Sequence, residues 1–143
     1  LKKKFDVVVC LFSSVGYMKS PGNLQKAIRN LSRHLKTGGV MIIEAFVDPT
    51  AYKTGSMHAI VVDRPNMKFV RAGVSRRRGN LALLDFHFLV VTPRGVSYFK
   101  SRHDLGLFAK PLFMRLMRES GMRALYLKDG LIKTRGLYVG IKK

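Results

Sequence analysis

Acidic residues are scarce in this sequence. Only 8 Asp and Glu stand against 27 Lys and Arg, which gives a formal net charge of +19 over 143 residues. A positive field of this size attracts phosphate groups, whether they belong to nucleic acid or to a nucleotide-linked small molecule. A basic piece of a longer, more acidic protein would show the same imbalance. The charge therefore leaves both interpretations open.

Cysteine and long apolar runs are also nearly absent. The single Cys10 excludes a disulfide within the chain and agrees with a reducing compartment, so we expect a cytoplasmic protein. No apolar run approaches the roughly 20 residues that cross a bilayer, and no signal peptide is expected, so we expect no membrane partner. We also expect no metal site, because the histidines lie on different elements without ligand spacing: His34, His58, His87 and His103.

What the sequence does contain is a βαβ pattern. Apolar residues make up 47% of the chain, enough for the core of about one domain. Residues 5–12 form an apolar run typical of a buried strand with both faces covered. Asn23 is the predicted N-cap of a helix with Lys36 in its last turn and Gly38-Gly39 at its end. Residues 40–46 are a second apolar strand, which this order places parallel to the first.

The pattern changes in residues 56–103, where short alternating apolar segments predict an antiparallel sheet. Turn residues separate these segments: Pro65-Asn66, Arg78-Gly79-Asn80 and Pro93-Arg94-Gly95. A helix that contains Pro111 and stops at Gly121 follows, and two strands close the chain. We therefore predict an α/β fold in which a core of residues 1–55 and 104–143 carries an inserted antiparallel sheet.

The first strand raises a problem of its own. An all-apolar strand at the edge of a sheet would leave unpaired backbone groups and an uncovered face. The chain that follows it supplies a neighbour on one side only, and the first residue is Leu rather than Met. We expect earlier strands in a preceding part of the protein, or else pairing with a second copy through this strand.

Several segments in the same order resemble class I S-adenosylmethionine-dependent methyltransferases, C-terminal part, and among these the N,N-dimethyltransferases that modify nucleotide-linked aminosugars. The segments are FDVVVCLFSSVGYM, HLKTGGVMIIEAF, RAGVSRRRGN, LLDFHFLV, SRHDLGLF and TRGLYVG. The resemblance implies the C-terminal half of a Rossmann-like methyltransferase sheet with an inserted antiparallel β-sheet. It also implies S-adenosylmethionine as cofactor and a small, nucleotide-linked acceptor.

The resembling family has two features that this sequence lacks. The glycine-rich loop after the family's first strand and the acidic residue after its second strand are not found. In folds of this kind such residues supply the close backbone approach and the polar anchoring that a nucleotide cofactor needs. We therefore expect this chain to be a C-terminal fragment that binds the cofactor poorly on its own.

The resemblance places a cofactor and catalytic site after the first strand. Ligands of open α/β sheets bind at the carboxyl ends of strands, where Phe12, Ser13 and Ser14 lie. The resemblance assigns these three residues to the cofactor's reactive end and Tyr17 to the acceptor amine, as a catalytic residue that orients it or relays its proton. The alternatives are core packing for Phe12, turn capping for the two serines, and a plain covering role for Tyr17.

Substrate binding is assigned to Glu44, Arg77 and Arg135, with Lys133 as an additional candidate. Glu44 ends an apolar strand, where a carboxylate needs a ligand or a salt bridge. Arg135 matches an arginine that faces the acceptor in the resembling enzymes, and with Arg77 and Lys133 it would hold a pyrophosphate. The alternative for Arg77 is a solvated charge run in a hairpin turn. His87 and His103 are read as structural hydrogen-bonding residues.

A second class of function stays open at this point. The net charge of +19 also suits a basic nucleic-acid-binding module, an RNA methyltransferase module or a non-catalytic methyltransferase remnant. No recognisable RNA-binding signature of the RRM or KH type supports that reading.

Overall fold

The computed structural model describes residues 2–132 and 135–143. The chain divides into two compact units, unit 1 (Leu1–Tyr52 and Leu105–Lys143) and unit 2 (Lys53–Asp104). The elements in chain order are β1 (Phe5–Cys10), a 3-10 helix (Ser14–Met18), α1 (Pro21–Arg33), β2 (Leu35–Glu44), β3 (Met57–Arg64), β4 (Met67–Arg78), β5 (Leu81–Thr92), β6 (Gly95–Gly106), α2 (Lys110–Glu119), β7 (Met122–Leu127) and β8 (Leu137–Lys142).

Unit 1 contains a four-stranded sheet in the order β1-β2-β8-β7. The pair β1 and β2 is parallel, with Val8 opposite Met41, as the βαβ pattern predicts. The strand β8 is antiparallel to β2 and to β7, which completes a mixed sheet. The predicted α/β fold is confirmed. The strand β1 lies at the sheet edge and pairs, among the described residues, only with β2.

The helix α1 begins earlier and ends earlier than predicted. Ser20 is the N-cap, since its hydroxyl accepts from the Asn23 N–H at 3.2 Å, and Pro21 occupies the first turn, where its missing N–H costs nothing. Asn23 is therefore a helix residue. The helix ends at Arg33, and the expectation that Gly38-Gly39 ends it is wrong, because β2 already starts at Leu35.

One face of this sheet carries the hydrophobic core. The strands contribute Met41, Ile43, Met122 and Tyr138, and the two helices cover them with buried apolar side chains: Leu24, Ile28, Phe113, Leu116 and Met117. The opposite face is apolar but open in the described chain. Val7 and Val9 are 54% and 53% exposed, so the expectation that both faces of β1 are covered is wrong for the described residues.

Unit 2 is an antiparallel sheet in the order β3-β4-β5-β6. The ladders close at Arg64 opposite Met67 and at Arg78 opposite Leu81, so short turns join the strands as predicted. Arg77 and its neighbours do not lie in a hairpin turn. They belong to β4, and the turn is formed by Gly79 and Asn80.

Candidate functional site

The chain makes a strained corner where β1 ends. After Cys10 it passes through Phe12 and Ser13, which both have left-handed backbones, with φ of 53° and 61°. Consecutive non-glycine residues in this region are uncommon and cost about 1–2 kcal/mol each. The surrounding structure must therefore hold this segment, the Phe12–Ser13 corner, in place.

Glu44 is one of the groups that hold it. This last residue of β2 has 0% exposure, and its Oε2 accepts the Phe12 N–H at 2.8 Å. Its Oε1 is buried with no hydrogen-bond partner among the described residues. The salt bridge considered as an alternative for Glu44 is not found in residues 2–132 and 135–143. Burial of a carboxylate is costly unless its oxygens accept hydrogen bonds. We therefore expect Oε1 to accept from a donor that the described residues do not supply.

Arg135 approaches the same corner from the far end of the chain. Its Nη1 donates to the Ser13 hydroxyl at 3.1 Å, across 122 positions of sequence. The guanidinium carbon lies 5.3 Å from the centre of the Phe46 ring, within cation–π distance. Ser13 is buried, and its hydroxyl faces the Ala45 carbonyl at 3.5 Å. The structure thus brings Phe12, Ser13, Glu44 and Arg135 together at the carboxyl ends of the parallel strands.

The side chains around the corner differ in exposure. Phe12 is 73% exposed, so it does not pack into the core formed by the described residues. Tyr17, in the 3-10 helix, is 47% exposed. The Ser14 hydroxyl donates to the Leu11 carbonyl at 2.5 Å, which is the local capping bond considered as an alternative. Phe12 and Tyr17 thus both expose part of their surface beside the corner.

The loop after β2 is also ordered by its own side chains. Asp48 Oδ1 accepts the backbone N–H of Thr50 at 2.9 Å and its hydroxyl at 2.6 Å. Both bonds lower the pKa of the Asp48 carboxyl, and the bond from the Thr50 hydroxyl contributes more than the bond from its backbone N–H. Farther into the core, burial raises the pKa of the Tyr138 phenol. The Phe46 and Tyr52 rings pack 5.9 Å apart, which adds a contact within the segment beside Arg135.

Two further residues were predicted to bind a pyrophosphate, Arg77 and Lys133. Arg77 belongs to unit 2, where its Nε donates to the Gly79 carbonyl at 2.8 Å. Lys133 lies outside the described residues. The histidines form local bonds: His87 Nδ1 lies 2.5 Å from the Tyr98 hydroxyl and His103 Nε2 3.2 Å from that of Ser101. Within the described residues no three His, Cys, Asp or Glu side chains form a metal-binding group.

One ionic cluster in unit 2 was missed by the sequence reasoning. Asp85 lies 2.7 Å from Arg102 Nε and 3.5 Å from Arg76 Nη1. The hydrogen bond from Arg102 lowers the pKa of Asp85. These partners come from three different strands, so no local spacing in the sequence could have indicated the cluster.

No family model matches the chain, but comparison with known proteins finds relatives among sugar N-methyltransferases. Over 142 residues the chain is 36% identical to dTDP-3-amino-3,4,6-trideoxy-alpha-D-glucopyranose N,N-dimethyltransferase of Streptomyces venezuelae, covering 99% of this chain and 60% of that protein. The structure of Streptomyces venezuelae DesVI matches with a TM-score of 0.95 and 35% identity, over 100% of this chain and 61% of that one.

A third match is the sugar N-methyltransferase KedS8 from a Streptoalloteichus species, with a TM-score of 0.92 and 31% identity, over 100% of this chain and 58% of that one. The chain therefore spans about 60% of the length of the relatives it matches. The resemblance noted in the sequence is confirmed. This chain is a homologue of the nucleotide-aminosugar N,N-dimethyltransferases and has the C-terminal part of the class I S-adenosylmethionine-dependent methyltransferase fold.

Proposed function

We propose that this chain is the C-terminal part of a cytoplasmic enzyme that transfers methyl groups from S-adenosylmethionine to the amine of a nucleotide-linked aminosugar. The observation that carries the proposal is the convergence of Ser13, Glu44 and Arg135 on one strained corner at the strand ends. The fold places ligands at such ends. The relatives that share the chain's whole length carry names with this activity.

The residues at the corner fit one end of the cofactor. The exposed Phe12 ring offers an apolar surface, and the buried Glu44 Oε1 lacks a donor among the described residues. Phe12, Ser13 and Ser14 would border the reactive end. When bound, S-adenosylmethionine supplies an electrophilic methyl group on a sulfonium. The glycine-rich loop that would hold the remainder of the cofactor is not in this sequence.

The chain's own residues would position the acceptor. Methyl transfer to an amine is an in-line displacement whose rate comes mainly from alignment and from exclusion of water. The amine nitrogen would accept the methyl group, with the neutral thioether as leaving group, and would then lose a proton. Tyr17 would orient the amine or relay that proton. Glu44 keeps the corner rigid through the Phe12 N–H.

Arg135 would bind the phosphates of the acceptor. A guanidinium has five N–H donors, and one bond to Ser13 leaves others for a bidentate contact with a phosphate. Arg77, on the inserted sheet, is proposed as a further phosphate-binding residue. The inserted sheet, residues 56–103, would form the acceptor side of the enzyme.

The open sheet surfaces of unit 1 support the proposal that a preceding part completes the site. The strand β1 has an unpaired edge in the described chain, and its outward valines, Val7 and Val9, are half exposed. A strand and helices that carry the glycine-rich loop would cover both features. Pairing of β1 with a second copy is the competing arrangement. A folded monomer of this chain in light scattering would exclude that pairing.

Methyl transfer by the full-length protein tests the proposal. We expect mass spectrometry to show one or two added methyl groups on a dTDP-linked aminosugar, dependent on S-adenosylmethionine. Tyr17→Phe and Arg135→Gln should lower kcat/KM by about 100-fold or more, the usual size for lost proton-relay or positioning groups. Arg94→Gln, in the turn after β5, serves as the charge-matched control. Absence of methylated product from a folded protein would contradict the proposal.

Nucleic-acid binding is the second candidate, and the net charge of +19 favours it. A protein that tracks the phosphate backbone loses affinity steeply with salt, with a slope close to its number of phosphate contacts. Measurement of generic RNA affinity against salt concentration therefore separates the candidates. A shallow slope would remove the nucleic-acid function, while a steep slope with no methyl transfer would favour it.

A further inference from the structure

A second group of polar side chains in unit 1 lines a groove that the proposed methyl transfer does not use. The groove has a volume of about 590 Å³. Its walls are the side of α1, the end of α2 and the end of β8, and we call it the basic groove. The residues that line it are Lys26, Arg29, Ser32, Arg33, Glu119, Ser120, Gly121 and Lys142.

The basic groove lies near the opposite end of the strands from the Phe12–Ser13 corner. In the β2–β8 ladder, Leu137 is opposite Glu44, whereas Ile141, next to Lys142, is opposite Val40. Four residues of strand separate these two levels, which is roughly 13 Å at the rise of a β-strand. The basic groove is therefore a separate site.

The cations of the basic groove are not neutralised by acidic partners. Lys26, Arg29 and Arg33 recur at helical spacing on α1, which contains no Asp or Glu. None of these three forms an ion pair with another residue of the described chain. The one acidic residue of the lining, Glu119, already lies 3.7 Å from Arg115 and accepts from Gln25 at 3.4 Å.

Lys142 is held in place at the floor of the basic groove. Its ammonium donates to the Ser32 hydroxyl at 2.9 Å and to the Ser120 carbonyl at 3.1 Å. Ser32 is itself buried and donates to the same carbonyl at 2.7 Å. A lysine has three N–H donors, so two are fixed by the protein and one is left. Such a pre-positioned ammonium loses little side-chain freedom when an anion binds.

The charge balance of the basic groove decides what it attracts. Arg33 and Glu119 are the last residues of α1 and α2, so both helices end here, and each carboxyl end carries about half a negative charge. The two helix ends and the Glu119 carboxylate together carry about two negative charges. Four cations oppose them: Lys26, Arg29, Arg33 and Lys142. About two positive charges stay in excess, so the basic groove attracts anionic groups such as phosphates.

We propose that the basic groove binds the phosphate groups of a small, multiply phosphorylated ligand. Arg29 and Arg33 are four residues apart on one helix, so their guanidinium forks reach the same space and suit bidentate contacts to phosphate oxygens. Lys26 and Lys142 complete the site from either side as point charges. The ligand is recognised by charge and by the planar forks, and methyl transfer is not required for its binding.

Calorimetric titration of inorganic pyrophosphate into this chain, at physiological salt, tests the inference. We expect one site per chain and a Kd that rises at least about tenfold in the double variant Arg29→Gln/Arg33→Gln. The control Arg64→Gln/Arg94→Gln removes the same charge from unit 2 and should change Kd by less than about twofold. Equal weakening by both pairs, or no binding by the parent chain, would overturn the inference.

A second variant distinguishes weaker pyrophosphate binding from a folding defect. Lys142→Gln keeps a hydrogen-bond donor at Ser32 while it removes the charge, and it should weaken pyrophosphate binding by about tenfold with an unchanged melting temperature. Generic single-stranded RNA is titrated in parallel. RNA that binds the basic groove while pyrophosphate does not would overturn the choice of a small ligand. RNA binding that is insensitive to these variants would support it.

Discussion

The two units differ in how many side chains they bury. Unit 1 folds two helices onto one sheet face and encloses a cluster of thirteen buried apolar residues. In the whole of unit 2, residues 53–104, only Ser75 and Ala82 are buried. Large apolar side chains there stay open, such as Met57 at 83% exposure. Unit 1 is therefore stabilised by its core, whereas unit 2 depends on ladder hydrogen bonds and cross-strand pairs.

The largest expected effect comes from the core of unit 1. Phe113 is fully buried and stacks 4.3 Å from Tyr138, so Phe113→Ala should lower the free energy of unfolding by about 3–5 kcal/mol. The matched change in unit 2 is Phe99→Ala. That ring stacks 4.7 Å from Phe88 but is half exposed, and about 1 kcal/mol is expected. Equal losses of unfolding free energy in the two variants, measured by urea denaturation, would contradict this difference between the units.

A second pair of variants tests backbone packing. A methyl group at Gly73 would lie 2.5 Å from the Phe86 ring and 2.7 Å from the Asp85 carbonyl, so Gly73→Ala should separate β4 from β5. We expect about 1–3 kcal/mol of destabilisation, as for other overpacked sites. Gly22→Ala meets no atom within 4 Å and should stabilise α1 by about 0.5–1 kcal/mol. Melting temperatures that fail to move in opposite directions would contradict both assignments.

Glu44 offers a test at the corner itself. Glu44→Ala leaves the Phe12 N–H without its acceptor, which should cost about 1–3 kcal/mol in unfolding free energy. Glu44→Gln keeps an acceptor oxygen and a similar volume, so a smaller loss is expected. The ratio of the two losses, measured by chemical denaturation, separates the hydrogen bond from the packing. A greater loss in Glu44→Gln than in Glu44→Ala would show that Glu44 does not hold the corner.

The smallest expected effect concerns the ionic cluster of unit 2. Arg102 lowers the pKa of Asp85 in the folded state, so this group contributes stability above its unfolded pKa and loses it as pH falls through the folded pKa. Arg102→Gln should raise the pKa of Asp85 toward its ordinary value, as followed by NMR titration of the carboxyl carbon. Arg94→Gln is the control. An unchanged pKa in Arg102→Gln would show that the pair is not formed in solution.

Local signals made much of the fold predictable. The hairpins of unit 2 follow from turn residues such as Pro65-Asn66, which act within a few positions, and Pro111 indicates the start of α2. The limits of α1 were predicted wrongly because more than one residue near each end could terminate the helix. Ser20 caps the helix three residues before Asn23, and pairing with β1 draws Leu35 into a strand.

The candidate site was predictable only in part. The carboxyl-end rule and the family resemblance indicated Phe12, Ser13, Glu44 and Arg135, which meet at the corner. The burial of Glu44 and its bond to the Phe12 N–H depend on a left-handed backbone that composition and periodicity do not reveal. The contact between Arg135 and the Phe46 ring likewise depends on packing between residues far apart in the sequence.

Calorimetric titration of S-adenosylmethionine tests the central claim most directly. It is performed on this chain and on the same chain extended upstream by its encoded sequence. We predict one tight site in the extended chain, weak or no binding by this chain alone, and a weaker site when Glu44→Ala is introduced into the extended chain. Equally tight binding by both chains, or none by the folded extended chain, would contradict the account.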